Sequence, residues 1–311
     1  IYVGGEFSTL APDARKSLAA LDATGSLLAW NPGTDGSVSA LAADNDTVYV
    51  GGAFSNAGGA AHVGLAAIGG DGVVTSFAAD TNSGARVSAL ALGGGVVYAG
   101  GNFTSISGHA RSKLAAIGPD GMPTALAVNP NTTVRALALA GTTLYAGGDF
   151  TDVDGTVRNH LAAVDTSSNM LTGWDPNASA RVHSLVSASG IVYAGGEFTM
   201  VSAQPRNRVA AIDAAGALAP WNPNVDGLVV ALAQSGDYVY VGGGFATLGA
   251  SNRASAAAVH LSGVVGDWIA DVDGAVYAVA VGQNSIYVAG NFDQVWGESM
   301  INFTIRAKPT D

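Results

Sequence analysis

The chain has 311 residues and a formal net charge of −11; 48% of its residues are hydrophobic and only 12% are charged, which gives ample core material and little charged shell. Lysine occurs three times (Lys16, Lys113, Lys308), so no lysine patch can be assembled, and the acidic balance argues against nucleic acid or an anionic membrane surface as partner. Cysteine is absent, which excludes disulfides, thiolate metal sites and a cysteine nucleophile together, and no apolar run approaches the roughly 20 residues of a membrane span.

Seven copies of one phrase run down the chain: IYVGGEF from Ile1, VYVGGAF from Val48, VYAGGNF from Val97, LYAGGDF from Leu144, VYAGGEF from Val192, VYVGGGF from Val239 and IYVAGNF from Ile286. Their starts lie 47, 49, 47, 48, 47 and 47 residues apart, a period that signals an architecture in which each unit buries its apolar faces against its neighbours. The chain begins inside the first repeat, without an initiator Met, and reads as the processed or excised part of a longer protein.

The repeat around residue 150 is the clearest. Val134–Leu139 predicts a first strand, Ala140–Thr143 a turn, and Leu144–Phe150 a second strand rich in aromatic and β-branched types. A polar stretch, Thr151–Asn159, leads to a third strand over His160–Asp165; the turn Thr166–Asn169 leads to a fourth over Met170–Trp174, and Asp175-Pro176 ends the unit. Four short strands with turn signals and no helical period predict a four-stranded antiparallel sheet, and a series of such sheets around an axis predicts an all-β, seven-bladed β-propeller. The first repeat lacks an inner strand and the last, ending near a third strand at Asn302–Ala307, lacks an outer one. The alternative is six blades, with Ala275–Val281 completing the first sheet and Ile286–Asp311 left as an extra hairpin. On either count residues 1–311 form one propeller domain, and upstream residues are expected to cover the open edge at Ile1.

Recurring letters read as scaffold. The glycine pairs let the second strand pass close to an adjacent backbone, and the seven Tyr and seven Phe of the phrase read as packing between blades. Trp30, Trp174, Trp221 and Trp268 are expected at the outer sheet margin. Arg15, Arg111, Arg158, Arg206 and Arg253 recur eight residues after the closing Phe, with His62 and Met300 in the other copies; they read as a repeated brace on loop carbonyls rather than a ring of anion sites.

Chemistry is sought where the repeats differ. After the first-strand Val stand Ser39, Ser88, Arg135, His183, Val230 and Tyr277, of which Arg135, His183 and Tyr277 make the most polar set. The residue after the glycine pair is Glu6, Asn102, Asp149, Glu197 or Asn291 in five copies. Arg135, His183, Tyr277, Glu6, Asn102 and Asn291 are therefore the candidate ligand-binding residues. Asp149 and Glu197 fall in adjacent blades and are the candidates for acid–base work on a glycosidic bond. The five histidines never fall at metal-ligand spacing, Asp-Gly pairs at Asp35, Asp154, Asp226 and Asp273 read as turns, and Asp152 with Asp154 is the best calcium candidate, without the downstream Glu of an EF-hand loop. No other cofactor is expected.

The order of inner strand, YxGG strand, Arg-containing loop, LAAxD strand and Trp-Asn-Pro resembles Kelch-type propellers and, more closely, the delta-60 type repeats of bacterial secreted and surface proteins. Val134–Asp165 follows their pattern VxALAxxxxxxYxGGxFTxxxGxxRxxLAAxDxxG almost throughout; the seventh copy, with Ala289 for a glycine and SMINFTIRA for RxxLAAxD, departs most. The resemblance implies an extracellular bacterial setting and a non-catalytic binding or spacer module that presents a face to a glycan or protein, beside neighbouring domains of the same chain. A polysaccharide-active enzyme and a filament or sheath subunit are the alternatives.

Overall fold

The computed structural model describes residues 1–10, 12–270, 272–295, 298–299 and 303–308, with backbone only at 295, 298–299 and 303–306. All regular structure among them is β, and no helix is long and apolar enough to cross a membrane. The chain divides into two compact units: residues 1–146, 150–157 and 163–172 form the first, and residues 147–149, 158–162 and 173–311 form the second.

Each repeat contributes one antiparallel sheet, and in the second to the seventh the second strand lies between the first and the third. The second, fourth and sixth have the expected four strands, whereas in the third and fifth the outer segment is reduced to the isolated bridges Ile117↔Pro123 and Ile212↔Leu218. In the second repeat the order is Val74–Ala78, Leu65–Gly69, Thr47–Ala53 and Ser37–Asp44; in the sixth, Leu228–Ser235, Tyr238–Gly244, Ala256–His260 and Val265–Ile269. Among the described residues the sheet of the first repeat pairs Tyr2–Gly4 with Leu18–Ala20, and Leu21↔Leu27 adds an isolated bridge. Among the described residues the seventh is three-stranded: Ser285–Asn291 pairs with Ala275–Val281 on one side and Phe303–Ala307 on the other. Ala275–Val281 thus belongs to the seventh repeat's own sheet and not to the first, as the six-bladed alternative required. The third strand expected at Asn302–Ala307 is found over Phe303–Ala307; Asn302 lies outside the described residues, as does Met300.

The stretch read as polar connection between second and third strands is itself a small hairpin. In the fourth repeat Asp152–Val153 pairs with Thr156–Val157 around Asp154 (φ 49°) and Gly155 (φ 79°), the left-handed pair that a two-residue turn demands. Such hairpins recur in all seven repeats. In the second to sixth repeats the hairpin ties its repeat to the connection arriving from the previous one, through the bridges Thr34↔Ala57, Thr81↔Ile106, Pro130↔Val153, Ala178↔Val201 and Val225↔Leu248.

The core lies between successive repeats. Tyr193, Val209 and Trp221 of the fifth pack with Val229, Leu232, Val241 and Phe245 of the sixth; Leu18, Ala20 and Trp30 of the first pack with Val38, Val50, Phe54 and Ile68 of the second. The recurring Tyr and Phe are the packing between repeats that their fixed phase implies. The tryptophans depart from expectation. Instead of covering an outer margin they are buried, and each indole N–H donates to a third-strand carbonyl one repeat further on: Trp30 to Gly69 (3.0 Å), Trp174 to Asp213 (2.9 Å), Trp221 to His260 (3.0 Å) and Trp268 to Ala307 (3.0 Å). A buried indole requires such an acceptor, which lies at the neighbour's strand end.

Candidate binding face

The glycine pair and the residue after the first-strand Val form one device. The ladder between first and second strands shifts register at this point in the second, third, fifth, sixth and seventh repeats, leaving Ser39, Ser88, His183, Val230 and Tyr277 as the extra residue of a β-bulge. The second glycine makes the bulge possible. A Cβ on Gly196 would stand 2.1 Å from the Arg181 carbonyl oxygen, and one on Gly243 1.9 Å from that of Leu228. A bulge re-aims one side chain and sharpens the local twist. The repeats thus present the residue they vary most at a position built from the residues they vary least. The first strands of the fifth, sixth and seventh repeats lie side by side, so His183, Val230 and Tyr277 come forward in sequence on one face of the second unit.

On that face Arg181 draws two carboxylates together. Its Nε lies 3.4 Å from Asp149 Oδ1 and its Nη1 3.7 Å from Glu197 Oε1, while His183 Nε2 is 2.9 Å from the same Glu197 oxygen. The Arg181 side chain is 53% exposed. Beyond it, Leu228 is 38% and Tyr277 60% exposed. Of the sequence-derived candidates, His183, Glu197 and Asp149 therefore meet in one cluster, in which the two carboxylates are linked through Arg181. Tyr277 stands two repeats from His183 on the same face. Arg135 is a half-buried member of Val134–Ala140 in the first unit. Glu6 and Asn102 are exposed in the first unit, where Asn102 Oδ1 accepts the Arg86 amide at 2.6 Å; Asn291 is exposed at the end of Ser285–Asn291.

Arg181 and Leu228 escaped the sequence reading. They precede the first-strand Val, two positions from the bulge residue, and the alternation of a strand puts residues i and i+2 on one side. A third feature was also missed: the residue before the third strand is left-handed in each of the first six repeats, at Ser17, Gly64, Lys113, His160, Arg208 and Ser255. Where its side chain is long it reaches back to the carbonyls at the second-strand exit: Lys113 Nζ to Asn102 O at 3.0 Å, His160 Nδ1 to Gly148 O at 3.0 Å, and Arg208 to Glu197 O.

Other candidates serve the scaffold. Arg15, Arg206 and Arg253 each donate to the preceding carbonyl and to one thirteen residues ahead in the same repeat, Leu28, Ala219 and Gly266. Asp152 accepts the Gly155 amide at 2.8 Å, and Asp154 the Asn129 side-chain amide at 3.1 Å, so each carboxylate binds a different part of the chain. Among the described residues no three His, Asp or Glu side chains come together as a metal-ligand group. Asp35, Asp226 and Asp273 accept amides of the next small hairpin, 20 and 21 residues ahead, rather than closing turns of their own.

No protein-family model and no curated protein matches the chain. Solved structures do. The WD40 β-propeller domain of Doa1 aligns with a TM-score of 0.61 at 11% identity, over 87% of this chain and 81% of that one. The Neurospora crassa Pan2 WD40 domain aligns at 0.52 and 12% identity, over 82% and 75%. A chain of the mitotic checkpoint complex aligns at 0.56 and 15%, over 84% and 76%. The fold is a β-propeller. At these identities the likeness extends to the propeller fold alone, and the seven repeats, each with its own sheet, accord with seven blades.

Proposed function

We propose that this propeller is a non-catalytic binding module whose contact surface is the bulge face of the second unit. The carrying observation is an exposed Arg181, held between Asp149 and Glu197, with exposed Leu228 on the next first strand and exposed Tyr277 on the one after it. An aromatic anchor and a guanidinium on one face make the composition of a protein-binding hot spot. The favoured ligand is a protein or peptide segment with an apolar residue to cover Tyr277 and charges of both signs to meet Arg181 and Glu197. A rigid scaffold carrying variable side chains at fixed bulges suits recognition, because the partner meets a preorganised surface. The delta-60 resemblance and the small-residue surface support placing the module in a bacterial secreted or cell-surface protein, with adhesion as its role.

A peptide-display library tests the reading. Peptides enriched on the purified 311-residue chain should lose at least about tenfold in affinity on Tyr277→Ala and on Arg181→Ala. Val157→Ala, on an exposed small hairpin of the other unit, should leave them unchanged. Enrichment that ignores both face variants overturns the assignment. Turnover of a polysaccharide that disappears in Asp149→Asn would replace it with the enzymatic alternative.

A further inference from the structure

The first unit holds a separate opening at the other end of the first strands. A half-open cleft of about 360 Å³ lies between the second and third repeats, lined by Ala43, Asp44, Tyr49, Leu92 and the turn 93–97. Its openness has a cause in the sequence. Gly94 and Gly95 are both left-handed (φ 61° and 76°), and a Cβ on either would meet nothing within 4 Å. The corresponding two-residue turns of the second, fourth, fifth and sixth repeats, Asn45-Asp46, Gly141-Thr142, Ser189-Gly190 and Gly236-Asp237, all carry at least one side chain.

A second substitution deepens the cleft. One repeat further on, the position equivalent to Asp44 is Gly93, and Leu139 fills the space a side chain would need there, its Cδ2 2.2 Å from the Cβ site. At Asp44 that space holds a real Cβ, so Leu92, the equivalent of Leu139, lines the cleft instead. Tyr49 is fixed by an edge-on contact with Phe77, ring centroids 5.4 Å apart at 79°.

We propose that this cleft binds one neutral pyranose unit of a glycan. The volume lies in the range of about 300–1,000 Å³ typical of small-ligand sites. Its lining combines a carboxylate able to accept two hydroxyls, a tyrosine, and the exposed backbone of a glycine turn with the apolar Ala43, Leu92, Val96 and Val97. A sugar ring offers the same combination in reverse, with hydroxyls at its rim and an apolar C–H face. Asp44 is the one charged side chain in the lining and the chain carries −11 overall, so an anionic sugar is repelled. The site is independent of the bulge face and stands or falls separately from it.

Saturation-transfer NMR on the whole 311-residue chain, with glucose, galactose, mannose, N-acetylglucosamine and glucuronate as probes, decides the matter. Transfer to at least one neutral sugar and none to glucuronate is expected. Titrations should show affinity about tenfold or more weaker in Asp44→Asn and in Gly95→Asn, with thermal midpoints unchanged. Asparagine tolerates the left-handed conformation, so the second variant places a side chain on the cleft's glycine rim without unfolding the turn. Arg181→Ala and Tyr277→Ala should leave the sugar signal intact. No transfer to any neutral sugar, equal transfer to glucuronate, or a signal that survives both cleft variants overturns the proposal.

Discussion

At the residue scale the two glycines of each pair have different jobs, and the structure separates them. The first receives the first-strand valine of the next repeat: a Cβ on Gly195 would lie 2.6 Å from Val229 Cγ1. The second receives the backbone of its own bulge, with Gly196 facing the Arg181 carbonyl at 2.1 Å. A valine side chain can move and a ladder backbone cannot. Gly196→Ala is therefore expected to destabilise by about 3 kcal/mol and Gly195→Ala by about 1–2 kcal/mol, read from denaturant midpoints at constant m. Equal losses would show that the bulge adapts. The pairing of glycines was plain in the sequence; which neighbour each one faces was not, because that depends on the next repeat's position in space.

At the element scale the repeats are held by hydrogen bonds that skip along the chain. Trp174 joins its repeat to the next through the Asp213 carbonyl, and Phe77 takes the same place in the second repeat without a donor. Trp174→Phe keeps most of the buried ring but removes one of the hydrogen bonds that carbonyl accepts, the Gly216 amide still supplying another, and should cost about 1 kcal/mol in a thermal or denaturant melt. Arg206 braces two carbonyls of one repeat with the fork of its guanidinium. Arg206→Lys is expected to cost about 1.5–3 kcal/mol, since an ammonium cannot span both. A lysine variant of unchanged midpoint would reduce the arginine to a packing residue. The brace was legible as a recurrence eight residues after Phe. The small hairpins were not, because two-residue strands carry too little alternation to register.

At the scale of the whole molecule the folded state leans on aspartates that must stay ionised. In Asp35 the Asn56 side-chain amide, followed by the backbone amides, holds the carboxyl below its ordinary value. In Asp226 partial burial pushes upward, and the Thr247 and Ala246 amides outweigh it. Asp22 and Asp165 are lowered by Thr24 and Ser167 beside them. A folded-state value below the unfolded one means that the stabilisation is complete above the ordinary aspartate value and is lost as pH falls through the lowered ones. The thermal midpoint should stay level from pH 8 to about 5 and fall below about pH 4. Asp226→Asn, which keeps the acceptor without the charge, should soften that fall, and a midpoint that rises on acidification would contradict the whole set.

Sequence alone determined the period, the antiparallel order of the first three strands within a repeat, the β-propeller class and the variable positions, because each of these is written in local alternation and in recurrence at about 47 residues. The fourth strand it predicts forms in the second, fourth and sixth sheets. Asp149, His183 and Glu197 were all visible as variable positions; that Arg181 draws them into one cluster, and that Tyr277 shares their face, was decided by the bulges and by the lateral packing of first strands. The cleft beside Asp44 belongs wholly to tertiary structure. Two adjacent glycines in a turn are unremarkable in a glycine-rich chain, and only the side-by-side placement of the second and third repeats, with Leu92 displaced by a real Cβ at Asp44, turns them into an opening.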